Sequence, residues 1–206
     1  RAILMHNNSK IFLSAGIPDE GREVFDTINR SATAGAVMAF TRVCAEYNIP
    51  FYFGGQPAIT PLVWSVAKDF SKEEKPLITI YQSRFFDGKT PHEVDYFENI
   101  VWTEKIEGNL PASIKAMRNQ MFSENETVAA IFLGGSNGIR DEYKLLKDIS
   151  PQTRMLPFAS TGGVSKKMYE SEGMNEAELT ESFAYYQIFK DLLKDYKDDA
   201  GNIRDS

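Results

Sequence analysis

The stretch Val128-Ala129-Ala130-Ile131-Phe132-Leu133-Gly134-Gly135-Ser136-Asn137-Gly138-Ile139-Arg140-Asp141-Glu142 constrains the fold more than any other part of the chain. Its apolar run is short and lacks polar alternation, as a strand covered on both faces requires. Gly134 and Gly135 let the backbone turn sharply and bring its amides close to a ligand. The helix expected next directs its free N–H groups and the positive end of its dipole at the same place, where phosphate is the usual occupant. Glu142 is expected in the first turn or so of that helix. The plainer alternative is a glycine turn needed only for tight packing.

The same grammar recurs along the chain. A first strand at Lys10–Gly16 ends in Ser14-Ala15-Gly16. A helical pattern runs from about Phe25 to Tyr47, with Val37, Phe40, Thr41, Cys44 and Ala45 on one face. Gly35 inside it implies a later start or close packing. Ile49–Phe53 is a second strand, followed by Gly54-Gly55-Gln56 and a helix with Thr60 as cap and Pro61 at its first position. Leu77–Tyr81 and Ile100–Thr103 are further strands, separated by an aromatic segment with a short helix after Pro91. Asn109 to about Phe122 is helical. Met155–Ala159 is a sixth strand leading into Ser160-Thr161-Gly162-Gly163 and a helix to Tyr169. A last helix is expected from Asn175 to about Tyr196, with Phe183, Tyr186, Ile188, Phe189 and Leu192 or Leu193 on its apolar face. Residues 197–206 read as a polar tail, and 2–4 as a short apolar opening.

Strands alternating with helices predict an α/β fold: a Rossmann-like parallel sheet with helices on both faces. Ligands of such sheets bind beyond the carboxyl ends of the strands. Topology alone therefore gathers every glycine turn on one rim.

Composition removes several function classes. The 206 residues suit a single domain, and the net charge of −6 offers no basic stripe for nucleic acid. One cysteine, Cys44, and two distant histidines, His6 and His92, make no metal constellation. A lone cysteine in an apolar pattern packs rather than pairs and points to a cytoplasmic chain. No apolar run is long enough to span a bilayer. No Walker A ending, no Gly-x-Gly-x-x-Gly fingerprint and no Ser-His-Asp order is present, which disfavours nucleotide hydrolysis, hydride transfer and triad chemistry. The chain begins at Arg1, so it is read as a domain excised from a longer multidomain protein.

Four segments taken together carry a resemblance: Leu13-Ser14-Ala15-Gly16-Ile17-Pro18, Gly54-Gly55-Gln56-Pro57-Ala58-Ile59-Thr60-Pro61, Gly134-Gly135-Ser136-Asn137-Gly138-Ile139 with Glu142, and Ser160-Thr161-Gly162-Gly163. Their order and spacing resemble the SLOG superfamily, the Rossmann-like group that holds the LOG phosphoribohydrolases and the nucleotide-sensing domains of bacterial conflict systems. The subset most similar is the SLOG domains of antiphage proteins, often fused to TIR effectors. The resemblance implies a homo-oligomer with a fused effector, no cofactor, and a ligand that is a nucleotide or NAD-derived signal such as a cyclic ADP-ribose variant. LOG enzymes carry a Pro-Gly-Gly-x-Gly-Thr-x-x-Glu loop and an arginine on the preceding helix. Glu142 and Arg118 match these two residues. Leu133 replaces the proline, Ile139 replaces the threonine, and the loop holds one extra residue at Ser136 or Asn137. That insertion shifts the amide cradle relative to Glu142 and favours sensing over nucleotide N-glycosidase activity.

On that basis Ser14, Gly16 and Arg22 are expected to bind ligand after the first strand. Gly54, Gly55 and Gln56 are expected to do so after the second. Gly134, Gly135, Ser136, Asn137, Gly138 and Glu142 follow around the central loop, with Arg118 beside them and Thr161 and Gly162 after the sixth strand. Arg118 and Glu142 are expected to bind ligand and would also be catalytic if the domain is an enzyme; the plainer reading is a structural ion pair. Tyr81, Phe85, Phe86 and Trp102 are each either base-stacking or core residues.

Overall fold

A computed structural model describes residues 8–22 and 24–197. The apolar opening at 2–4 and the tail beyond 197 lie outside the described residues. Within the described residues six strands form one all-parallel sheet: β1 (Ser9–Gly16), β2 (Phe51–Gly54), β3 (Ile78–Ser83), β4 (Asn99–Thr103), β5 (Glu126–Gly134) and β6 (Arg154–Phe158). Their spatial order is β4-β3-β2-β1-β5-β6. The chain builds outward from β1 to β4, then crosses back to lay β5 on the other side of β1. The order therefore reverses between β1 and β5, the switch point at which such sheets open a ligand crevice.

Among the described residues six α-helices cover the sheet: α1 (Arg30–Glu46), α2 (Thr60–Ala67), α3 (Leu110–Glu124), α4 (Asn137–Ile149), α5 (Gly163–Ser171) and α6 (Tyr185–Leu193). Alternation along β1 and β5 feeds two cores. Ile11, Leu13, Ala129, Ile131 and Leu133 pack with α1, α2 and α6. Phe12, Ala130 and Phe132 pack on the opposite face with α3, α4 and part of α5. The unalternated run around Phe132 is thus buried on both sides.

Local chemistry fixes the helix starts. Asn29 caps α1 by accepting from the Ala32 amide at 3.0 Å, and Asn109 caps α3 through the Ala112 amide, also at 3.0 Å. The helix expected from Phe25 is broken in two. A 3-10 turn at Phe25–Thr27 precedes Asn29, and α1 begins only at Arg30. Thr60 is the first residue of α2 rather than its cap, with its hydroxyl turned back to the Gln56 carbonyl at 3.0 Å. The last helix is also shorter than expected. Residues Ala177–Leu179 form a 3-10 turn, α6 starts at Tyr185, and Phe183 lies outside it, 59% exposed. Ser182 explains the break, because its hydroxyl accepts from the Ala184 amide and competes with helix continuation. The segment expected to hold a short helix after Pro91 holds a 3-10 helix at His92–Tyr96. No helix among the described residues is long and apolar enough to cross a membrane.

Candidate functional site

A cleft of about 240 Å³ opens at the switch point. Ser14 and Gly16 at the end of β1, Gly54 at the end of β2, and Gly55 and Gln56 beyond it form one side. Ser136, Gly138 and Glu142 border it from the start of α4, and Arg118 reaches in from α3. The beginning of a helix at the wall puts the positive end of its dipole beside any ligand.

A polar knot sits in this wall. Ser14 faces the α3–α4 side of the sheet, and its hydroxyl donates to Glu142 Oε2 at 2.5 Å. Arg118 Nε donates to Glu142 Oε1 at 3.2 Å, and its Nη2 to the Gly138 carbonyl at 3.1 Å. Its Nη1 also lies 3.5 Å from Asp141, which is exposed. The Arg118 and Glu142 side chains are each 15% exposed. At that burial the pair is held in place by packing as well as by charge. Glu142 differs from expectation in one respect: it is the sixth residue of α4, in the second turn, and the first turn carries no acidic residue. Its partners, not the helix dipole, hold it in place.

The remaining expected residues stand elsewhere. Gly134, Gly135, Thr161 and Gly162 form a buried clasp behind the cleft. The Gly134 amide donates to Thr161 Oγ1 at 2.8 Å, and that hydroxyl donates onward to the Phe158 carbonyl at 2.6 Å. Gly162 bridges to Ile28, and the Asn29 amide donates to the Thr161 carbonyl. The Gly135 amide ties β5 to β1 through the Gly16 carbonyl at 2.7 Å. Asn137 is exposed and accepts from Arg140. Arg22 is exposed in the turn after β1. None of these six borders the cleft.

Of the four aromatics considered, Phe86 lines the cleft and Tyr81, Phe85 and Trp102 do not. Tyr81 is core, with its hydroxyl between Glu124 and Asn125 at 2.9 Å each. Burial pushes its phenol up to about 12, and the Asn125 hydrogen bond works against that shift. Trp102 lies under the Arg84 guanidinium.

Sequence reasoning missed part of the wall. Gln82, Lys89, Thr90 and Pro91 come from the end of β3 and the loop after it, and Ile114 and Met117 from α3. A usable signal existed for Gln82: it lies at the carboxyl end of a strand, on the rim that the glycine turns share. The α3 residues carried none, because Ile114 and Met117 look like any apolar helix face. The resulting wall has an apolar part (Phe86, Ile114, Met117), two cations (Arg118, Lys89) and one carboxylate (Glu142). Among the described residues no cluster of three His, Cys, Asp or Glu could hold a metal ion.

Comparison with known proteins follows this architecture. The X-ray structure of TM1055, a Northeast Structural Genomics Consortium target, superposes with a TM-score of 0.57. The match covers 89% of this chain and 99% of that one at 12% identity, a likeness of fold. No curated protein matches the chain. The SLOG cluster3 family matches residues 23–193, which take in every strand but β1 and all six helices. The chain therefore belongs to the SLOG cluster3 family.

Proposed function

We propose that this domain senses a nucleotide or NAD-derived signal, such as a cyclic ADP-ribose variant, in the rim cleft. In this reading the bound signal changes a contact between copies of the domain in the cytoplasm and so controls an attached effector, for instance a TIR domain, in antiphage defence. The observation that carries the proposal is the mixed wall of the cleft. The start of α4 with Arg118 and Lys89 suits phosphate, and Phe86, Ile114 and Met117 suit a base. A cleft of about 240 Å³ is small for a ligand site, where roughly 300–1,000 Å³ is usual. One nucleotide unit would fill it, and a larger signal would extend past its mouth.

A second reading is a nucleotide N-glycosidase, favoured by the Arg118–Glu142 pair in the wall. Cleaving the glycosidic bond needs a carboxylate to activate water or to support positive charge at the ribosyl centre. Here each Glu142 oxygen already accepts a hydrogen bond, from Ser14 and from Arg118. A carboxylate committed in this way is better placed to shape a binding site than to take up a proton, and this supports sensing.

Calorimetry and thermal shift with NAD, ADP-ribose, cyclic ADP-ribose isomers, AMP and cyclic oligonucleotides separate the two readings, each mixture then being chromatographed. The sensor reading expects selective binding with the ligand recovered intact, weakened at least about tenfold in Arg118→Ala, which removes charge-assisted hydrogen bonds. Free base released by the wild-type chain and not by Glu142→Gln would establish the glycosidase instead.

A further inference from the structure

Gln82 is a buried polar side chain in the cleft with no assigned role. It is the penultimate residue of β3 and is 3% exposed. A carboxamide presents an acceptor and two donors, and burying it unpaired is costly. Several polar groups nearby are already engaged. Ser14 bonds Glu142, Gln56 accepts from the Ala58 amide, and Tyr81 bonds Glu124. The Gln82 carboxamide bonds none of the described residues, yet its polar atoms are not sealed off, Thr103 alone among the described residues having that fate. They open onto the cleft.

The backbone makes room for this arrangement. A Cβ placed on Gly55 would lie 1.9 Å from Gln82 Oε1 and 2.9 Å from its Cδ. The carboxamide thus occupies the space a side chain at position 55 would need, and it lies against the backbone of the second glycine turn. Donor and acceptor are held side by side there, at the edge of the space between the apolar wall and the β2 rim.

We propose that Gln82 is a specificity-determining residue. Its carboxamide pairs with a nucleobase edge carrying a donor beside an acceptor, as adenine does with its 6-amino group and a ring nitrogen. This assignment rests on the nucleotide-binding reading above and deepens it. A site with a buried amide rejects a ligand that lacks the matching group, because the amide is then left without a partner.

The test compares the wild-type chain with Gln82→Leu, which keeps the shape and removes both polar groups. Calorimetry is run with AMP, ADP-ribose, purine riboside 5′-monophosphate (which lacks the exocyclic amine) and ribose 5-phosphate. The wild type is expected to bind the adenine ligands at least about tenfold more tightly than the purine analogue. Gln82→Leu is expected to lose that preference while its unliganded melting temperature stays level or rises, since an unpaired buried amide is replaced by an apolar group. If Gln82→Leu keeps the preference, the assignment is overturned and nucleotide binding survives. A fall of several degrees in its unliganded melting temperature also overturns the assignment, because the amide would then be serving the fold. If the wild type binds none of the four, the assignment falls, and the nucleotide reading falls with it if NAD, the cyclic ADP-ribose isomers and the cyclic oligonucleotides also fail to bind.

Discussion

Two glycines show how differently one residue type can matter. Gly135 has φ of +73°, and a Cβ there would lie 1.9 Å from Ile139 Cδ1 and 2.5 Å from its Cγ1. Alanine at that position meets a strained backbone and displaces a core side chain of α4. Gly135→Ala is expected to cost about 2–4 kcal/mol, read from the denaturation midpoint. Gly35 lies inside α1 with nothing near the added methyl. Gly35→Ala is expected to stabilise by about 0.5–1 kcal/mol, the helix propensity difference. The importance of the Gly134-Gly135 turn was legible in the sequence. Its reason was not, because sequence cannot separate backbone that must approach a ligand from backbone that must approach Ile139. The place of Gln82 on the rim was legible from its position at a strand's carboxyl end, but nothing about a lone glutamine after an apolar run says that its partners are missing.

Among the elements, α6 is the instructive one. Its periodicity was legible in part. Of its expected apolar face, Ile188, Phe189 and Leu193 are buried as that pattern requires, but Tyr186 is 43% exposed with its hydroxyl on Glu46, and Tyr185 is buried instead. Its start was not, because Phe183 continues the apolar spacing while Ser182 and the 3-10 turn before it break the helix. Phe189 is fully buried, with its ring centroid 5.4 Å from that of Phe40 and 5.0 Å from that of Phe158. Thus α6 closes the core over α1 with its apolar face. Phe189→Ala is expected to cost about 3–5 kcal/mol, the usual range for a buried aromatic ring. Phe183→Ala is expected to fall within about 0.5 kcal/mol of the parent, as exposed sites do. Paired urea titrations measure both, and a large loss at Phe183 would mean that a contact covers it in solution.

For the whole molecule, burial sets the behaviour at high pH. Tyr81 keeps its proton in the fold up to about 12, whereas an unfolded tyrosine ionises near about 10. Between those values the unfolded chain holds fewer protons, so stability falls as pH rises. Burial raises Tyr52 in the same direction. Burial lowers Lys10, which acts the opposite way and only up to the ordinary lysine range. Urea midpoints are therefore expected to drop between about pH 10 and 12, with a shallower drop in Tyr81→Phe. The alternation of strands and helices made the layered parallel sheet legible, but not the strand order. No local pattern states that β5 lies against β1 rather than against β4. That pairing, from Ser9 opposite Glu126 to Gly16 opposite Gly134, has a kinetic consequence. The central strand waits for a partner more than a hundred residues later in the chain, so one side of β1 stays open until β5 has been made and docked. Late closure of such long loops slows folding and leaves an unpaired edge exposed meanwhile. The cleft lies between the end of β1 and the start of α4, which directly follows β5, so a ligand that fits it recognises only chains in which β5 has docked on β1.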